Sequence, residues 1–166
     1  ISATGGTITT DGNFKIHTFT GPGSFDITCS GNPFGSTKIS YMVVAAGGGG
    51  GADNGGGGGA GGFRESKSSE DTYTASPLNA TSGPTYNLGV VNGASYPITV
   101  GAGGTPGTFP PAQNGGTGNN SVFAGTVTIT SAGGGGGGKV STNGIAGGSG
   151  GGGGACSSTS RAAGNT

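Results

Sequence analysis

Short stretches of alternating hydrophobic and polar residues occupy the first part of the chain, which is the pattern of β-strands with one buried face. Phe25, Ile27 and Cys29 alternate with polar residues, and residues 14–17 alternate in the same way. Residues 11–12 (Asp-Gly) suit a tight hairpin turn, and residues 21–23 (Gly-Pro-Gly) suit a second turn. The sequence therefore predicts a three-stranded meander over residues 5–30. His17 lies on its polar face and is expected to be solvated rather than a general base.

A strand followed by a glycine run occurs three times. Residues 37–46 become apolar on both faces, which predicts an interior strand, and they lead into the glycine-rich stretch 47–62. Residues 95–100 lead into 101–104, and residues 121–131 lead into 133–138. A flexible linker would not place a β-branched, alternating strand before each run, so the order is an internal repeat.

The glycine runs are too dense for an α-helix or an ordinary strand, because glycine loses the most backbone freedom on ordering and buries no side chain. They can instead form polyglycine-II helices, which have three residues per turn and no internal hydrogen bonds, so that neighbouring helices must satisfy their backbone groups. A Cβ added at Gly57 is then expected to separate packed helices. The predicted structural glycines are Gly47, Gly51, Gly55, Gly62, Gly101, Gly133, Gly138, Gly147 and Gly154.

The predicted fold class is all-β with polyglycine-II helices and essentially no α-helix. Residues 1–46 form the N-terminal β-meander and entry strand, residues 47–156 form the polyglycine-II bundle with interspersed strands and loops, and residues 157–166 form a flexible tail. A flexible glycine tether stays the alternative for residues 147–154.

Composition removes several classes of function. Leu, Ile, Val and Phe make up only about 15% of the chain, which is too little for a conventional hydrophobic core. Six basic residues balance six acidic ones, so no nucleic-acid partner is expected, and no apolar run is long enough to predict membrane insertion. Two cysteines and one histidine are too few for a zinc site, so no metal and no cofactor are predicted.

Two sequence motifs imitate catalytic loops. Residues 133–139 match a phosphate-binding loop, but Val140 stands where Ser or Thr is needed and no helix pattern follows. Residues 147–151 match a nucleophile elbow, but the strand before it and the helix after it are both missing. No catalytic residue is therefore predicted, and the chain is not expected to be an enzyme.

Cys29 and Cys156 are the two cysteines, and their spacing does not decide whether they pair. Two buried thiols and one disulfide are both consistent with the sequence. A disulfide would join the meander to the last glycine run.

Two long segments between the repeats, 63–93 and 105–114, collect most of the aromatic, proline and charged residues outside the strands. Loops on a rigid scaffold are a common place for recognition, and aromatic side chains give contact area at low entropic cost. The predicted receptor-binding residues are Arg64, Tyr73, Tyr86, Phe109 and Lys139. The alternative is that the aromatics fold back and cover the glycine layer.

The chain resembles the glycine-rich domain of bacteriophage tail-fibre tip adhesins and related extracellular fibre proteins. The likeness rests on GGTITTDGNFKIHTFTGPGSF leading to SYMVVAAGGGGG, on GGGGGAGGF, on YPITVGAGG, and on ITSAGGGGGG with GGSGGGGG, and it spans roughly residues 5–154. It implies a polyglycine-II sandwich whose connecting loops touch a bacterial surface receptor.

Two functions follow from this resemblance. The first is a non-enzymatic adhesin module that binds an outer-surface protein or glycan of a bacterium, at an extracellular or virion-surface location. The alternative is a structural subunit that assembles with copies of itself into an extracellular filament, by donating an N-terminal strand within residues 1–10 to a neighbour.

Overall fold

The computed structural model describes residues 1–31, 37–69 and 71–155, and its strands confirm the all-β prediction. No helix occurs in these three ranges. The strands are β1 (Ser2–Thr4), β2 (Thr7–Asp11), β3 (Phe14–Thr18), β4 (Gly23–Cys29), β5 (Tyr41–Val44), β6 (Phe63–Ser66), β7 (Ser95–Thr99), β8 (Ser121–Phe123) and β9 (Ile129–Ser131). Cys156 and the predicted tail 157–166 lie outside the described residues.

The predicted hairpin is confirmed, but the third strand of the meander pairs elsewhere. β2 and β3 form a two-stranded antiparallel sheet in which Asp11 is opposite Phe14. β4 lies between β1 and β7 in a five-stranded sheet of order β1-β4-β7-β8-β9. Burial explains the difference, because Phe25 and Ile27 of β4 are core side chains, whereas every residue of β2 is exposed.

The chain divides into two compact units, and each draws on several segments. Of the described residues, unit 1 comprises those within 1–43, 64–100 and 122–129, and unit 2 comprises those within 44–63, 101–121 and 130–155. Each unit thus combines segments from both sides of residue 46, and the predicted linear division at that residue stays a prediction. The core of unit 1 consists of Phe25, Ile27, Leu88, Val90, Tyr96, Phe123 and Ile129.

Two predicted strands are shorter than expected. Of residues 37–46, only Tyr41–Val44 form a strand, which pairs with β6. Residues 121–131 split into β8 and β9. Gly125 lies between them against the ring of Tyr96, where an added Cβ would be 2.6 Å from the ring. A glycine inside a strand pattern weakens the strand and often marks a close approach, which accounts for the break.

Unit 2 is built from glycine segments joined by backbone hydrogen bonds. We label them g1 (45–52), g2 (54–62), g3 (101–107), g4 (113–119), g5 (132–140) and g6 (148–155). The N–H groups of residues 45, 48 and 51 in g1 donate to the carbonyls of residues 62, 59 and 56 in g2. The N–H groups of residues 46, 49 and 52 in g1 donate to the carbonyls of residues 119, 116 and 113 in g4. Donors thus recur every third residue, which is the period of a polyglycine-II helix.

Segment g5 is the interior of unit 2. It exchanges hydrogen bonds with g1, g2, g4 and g6, for example from Gly137 N–H to the carbonyl of Gly49 at 2.9 Å and from Gly138 N–H to that of Gly152 at 2.9 Å. All six residues 133–138 are buried, and all six are glycine. The interior of this unit is therefore peptide backbone, where a normal domain has side chains.

Glycine is required at most of these positions by contact with a neighbouring carbonyl. An added Cβ would lie 2.1 Å from the oxygen of Gly135 at Gly48, and 2.1 Å from that of Gly152 at Gly56. These approaches match the Cα–H···O contacts known between adjacent extended chains. Gly57 differs, because an added Cβ there meets no atom within 4 Å. The expectation that Gly57 is a packed position is therefore wrong.

Candidate binding surface

Three loops meet at one end of the glycine segments, and we call them the unit 2 tip: residues 52–55, 108–114 and 139–142. Ala52 joins them, because its N–H donates to the carbonyl of Gln113 at 3.0 Å and its own carbonyl accepts the N–H of Val140 at 3.3 Å. The side chain of Asn114 adds a second link. Its Oδ1 accepts the N–H of Lys139 at 2.9 Å and the hydroxyl of Thr142 at 3.0 Å.

The tip displays an apolar side chain on this hydrogen-bonded base. Phe109 is 68% exposed. Its loop is closed beneath it by a hydrogen bond from Gln113 N–H to the carbonyl of Thr108, at 3.1 Å. Lys139 lies in the adjoining loop, half-buried, and Asp53 and Asn54 are exposed in the third. The surface therefore combines one aromatic ring, one cation, one carboxylate and several amides and hydroxyls, groups that can make apolar, ionic and hydrogen-bonded contacts with a ligand.

The profile of a protein family described as a glycine-rich domain matches residues 19–166. The chain belongs to this family. No curated protein and no solved structure matches the chain. The family match supports the prediction that the chain is a glycine-rich domain. The description of the family mentions neither a fibre nor a receptor.

The other three predicted receptor-binding residues of this glycine-rich domain lie in unit 1. Arg64 is exposed on β6, Tyr73 is exposed in the following loop, and Tyr86 is half-buried. The ammonium group of Lys67 is 5.6 Å from the centre of the Tyr73 ring, a cation–π distance. Although Tyr73 is 46% exposed, the partial burial of its side chain raises its pKa, and the negative charge of Glu65 raises this pKa further. The five predicted residues are thus divided between the two units, three in unit 1 and two in unit 2.

The loop that carries Tyr73 is held to β6 by buried polar groups. Glu65 is buried, and its Oε2 accepts the N–H of Ser76 at 3.0 Å. Its backbone carbonyl accepts the N–H of Ala80 at 2.9 Å. Ser66 is fully buried and its Oγ accepts the N–H of Asn87 at 3.2 Å. Glu65 therefore acts as a structural anchor here, a role that its place in a charged stretch of sequence did not indicate.

Two further expectations concern single side chains. His17 is half-buried, because its ring packs edge-on against Phe25 at 5.0 Å and its Nδ1–H donates to the carbonyl of Gly5 at 2.8 Å. The expectation of a solvated His17 is wrong, and its role is structural. The alternation along β4 predicts that Cys29 points inward with Phe25 and Ile27, but Cys29 is exposed at the end of the strand. Its pairing with Cys156 stays a prediction, since Cys156 is outside the described residues.

A metal site would need several ligating side chains close together. Across residues 1–31, 37–69 and 71–155, no three His, Cys, Asp or Glu side chains are near enough to one another to hold a metal ion. Within the same ranges, no helical segment has the length and apolar character that crossing a bilayer requires.

Proposed function

We propose that this glycine-rich domain is a non-enzymatic extracellular adhesin module, similar to a phage tail-fibre tip, that binds an outer-surface protein or glycan of a bacterium through the unit 2 tip. The observation that supports it is the exposed ring of Phe109 on loops that are hydrogen-bonded to one another. A rigid base lowers the entropy lost on binding, and an exposed aromatic ring supplies contact area.

The scaffold in this proposal is a bundle of polyglycine-II helices. The support is the three-residue period of the hydrogen bonds among g1, g2 and g4 and the burial of g5. Such a bundle has few side chains on its flanks, so specificity must reside in the loops at its ends. Tyr73 and Arg64 of unit 1 provide a second candidate surface.

The filament alternative has less support. The N-terminal strand that would be donated is already paired within the chain, with Ala3 opposite Ile27 of β4 and Ile8 opposite His17 of β3. Donation to a neighbour would have to replace those pairings. A binding module needs no such exchange.

The test is attachment of the fluorescently labelled full chain to a panel of bacterial cells, scored by flow cytometry. Phe109→Ala is expected to weaken attachment to the cells that the unchanged chain binds, by about tenfold, since an anchor residue at an interface is worth about 1–2 kcal/mol or more. Tyr73→Ala tests the unit 1 surface separately. Met42→Ala is the matched control, because Met42 is 67% exposed but lies on β5.

Each outcome has a distinct meaning. Loss with Phe109→Ala alone supports the unit 2 tip, and loss with Tyr73→Ala alone moves the receptor site to unit 1. Unchanged attachment by both variants, with their folds verified by circular dichroism, refutes binding through these aromatics. Regular filaments of the unchanged chain in negative-stain micrographs would favour the structural subunit.

A further inference from the structure

Four Asn-Gly dipeptides occur among the described residues, at 54–55, 92–93, 114–115 and 143–144. This dipeptide is chemically labile, because glycine has no Cβ to keep its backbone nitrogen away from the preceding side chain. We propose that Asn54, at the unit 2 tip, is a site of spontaneous self-modification, in which it becomes aspartate and isoaspartate. This inference does not depend on the proposed adhesin function.

The reaction needs only water. The backbone nitrogen of Gly55 forms a bond to Cγ of Asn54, the bond between Cγ and Nδ2 of Asn54 breaks, and Nδ2 leaves as ammonia with the proton that Gly55 gives up. The product is a five-membered succinimide. Water then adds to one of its two carbonyls and opens the ring, which gives aspartate or, when the backbone carbonyl is attacked, isoaspartate.

The attacking nitrogen is what distinguishes the four pairs. The N–H of Gly93 donates to the carbonyl of Ile27 at 2.9 Å, and the N–H of Gly115 donates to that of Gly137 at 2.8 Å. A nitrogen held in such a bond must first be released. The N–H of Gly55 donates to no acceptor in the described part of the protein. The N–H of Gly144 likewise donates to no acceptor there, but Gly144 is buried, so its nitrogen is shielded from water.

The exposure and hydrogen bonding of the asparagine side chains also favour reaction at Asn54. Asn54 is exposed, and its side chain makes no hydrogen bond within the described residues. Asn114 instead accepts two hydrogen bonds at Oδ1, from Lys139 and Thr142. Asn54 also has a left-handed backbone, with φ of 56°, as expected for the corner between g1 and g2. It is the one of the two tip asparagines whose side chain is free to rotate.

The modification would change the tip in two ways. It places a second negative charge next to Asp53, and isoaspartate adds a methylene group to the backbone between g1 and g2. The carbonyl of Asn54 accepts the N–H of Ala155 at 2.9 Å, so the longer backbone disturbs a bond to g6 as well. Because the modified fraction of Asn54 grows with time, the conformation of this loop should change as the protein ages.

The experiment is incubation of the purified full chain in mildly alkaline buffer, followed by proteolysis and mass spectrometry to quantify each Asn-Gly peptide. Asn54 is expected to convert first, about tenfold or more faster than Asn92 and Asn114, since each of those must first lose a hydrogen bond. The same protein in concentrated denaturant is the control, and there the four rates should converge.

The variant Asn54→Gly keeps a residue that tolerates positive φ and is expected to remove the fast conversion. Asn114→Gly is the matched control and is expected to leave that fast conversion in place. Equal rates at Asn54, Asn92 and Asn114 in the folded protein would overturn the proposal, and so would a fast conversion that persists in Asn54→Gly. An Asn54 rate that is the same folded and denatured, with the other sites slowed by folding, would support it.

Discussion

Gly58 faces the carbonyl oxygen of Gly48 so closely that a Cβ on Gly58 would lie 2.0 Å from it. A Cβ on Gly57, the preceding residue, would meet no atom within 4 Å. Gly58→Ala is therefore expected to force g1 and g2 apart and to lower the free energy of unfolding by about 1–3 kcal/mol or more. Thermal unfolding followed by circular dichroism measures the change.

Gly57→Ala is the control for this substitution, because both residues are exposed and belong to one segment. It is expected to be neutral or to stabilise by up to about 1 kcal/mol, since alanine restricts the unfolded chain. Equal effects of the two substitutions would mean that g1 and g2 are not packed as described.

Amide hydrogen exchange tests the order of the glycine segments directly. The N–H groups of Gly134 and Gly137 donate to carbonyls of g1 and lie in the buried segment g5, so they are expected to exchange slowly. The N–H groups of Gly57 and Gly58 are exposed and make no hydrogen bond in the described structure, so they should exchange quickly. NMR spectra recorded after transfer to heavy water resolve the four amides. Free-peptide rates at Gly134 and Gly137 would indicate a flexible tether.

Substitution of two buried serines by alanine is expected to have different effects on stability. The hydroxyl of Ser131 is fully buried and has no hydrogen-bond partner in the described structure, whereas the hydroxyl of Ser121 accepts the N–H of Gly101 at 3.0 Å. Ser131→Ala removes an unsatisfied polar group and should be neutral or stabilising, but Ser121→Ala should cost about 1–3 kcal/mol because it leaves a backbone donor unpaired. Urea unfolding curves of both variants provide the comparison. If Ser131→Ala lost as much stability as Ser121→Ala, the hydroxyl of Ser131 would have to make a hydrogen bond in solution.

Asp26 carries the clearest prediction for pH. The hydroxyl of Ser24 donates to Asp26 Oδ1 at 2.6 Å, and this bond, with help from Ser95, lowers the pKa of Asp26 below its usual 3.8. The stabilisation is present above pH 3.8 and is lost as the pH falls through the lower pKa of the folded state. Ser24→Ala should raise the pKa of Asp26 toward 3.8, as followed by the NMR chemical shift of its carboxyl carbon. An unchanged titration would mean that the Ser24 bond does not form in solution.

The sequence predicted the hairpin and the positions of the glycine segments, because both depend on local chemistry. Residues 11–12 carry a turn signal, and dense glycine restricts the available conformations by itself. The placement of β4 could not be predicted in this way. Its partners β1 and β7 are far apart in the sequence, and their choice depends on the joint burial of Phe25 and Tyr96.

The candidate surface was predictable in part for the same reason. Phe109 sits among prolines in a short loop, and its 68% exposure excludes for this residue the alternative that the aromatics fold back onto the glycine layer. The three tip loops are held together by hydrogen bonds of Ala52 and Asn114, which connect segments that are distant in sequence. Neither residue has a sequence signal that distinguishes it from other small or polar loop residues.

The all-glycine interior of g5 has a thermodynamic consequence. Exposure of apolar surface raises the heat capacity on unfolding, while exposure of peptide groups lowers it. Residues 133–138 bury peptide groups and no side chains. Unfolding of unit 2 should therefore have a smaller heat-capacity change per residue than the ~12–15 cal/mol/K typical of globular proteins. The heat-capacity change sets how strongly the free energy of unfolding curves with temperature. The free energy of unfolding of unit 2 should therefore decrease only slightly when the protein is cooled below its temperature of maximum stability.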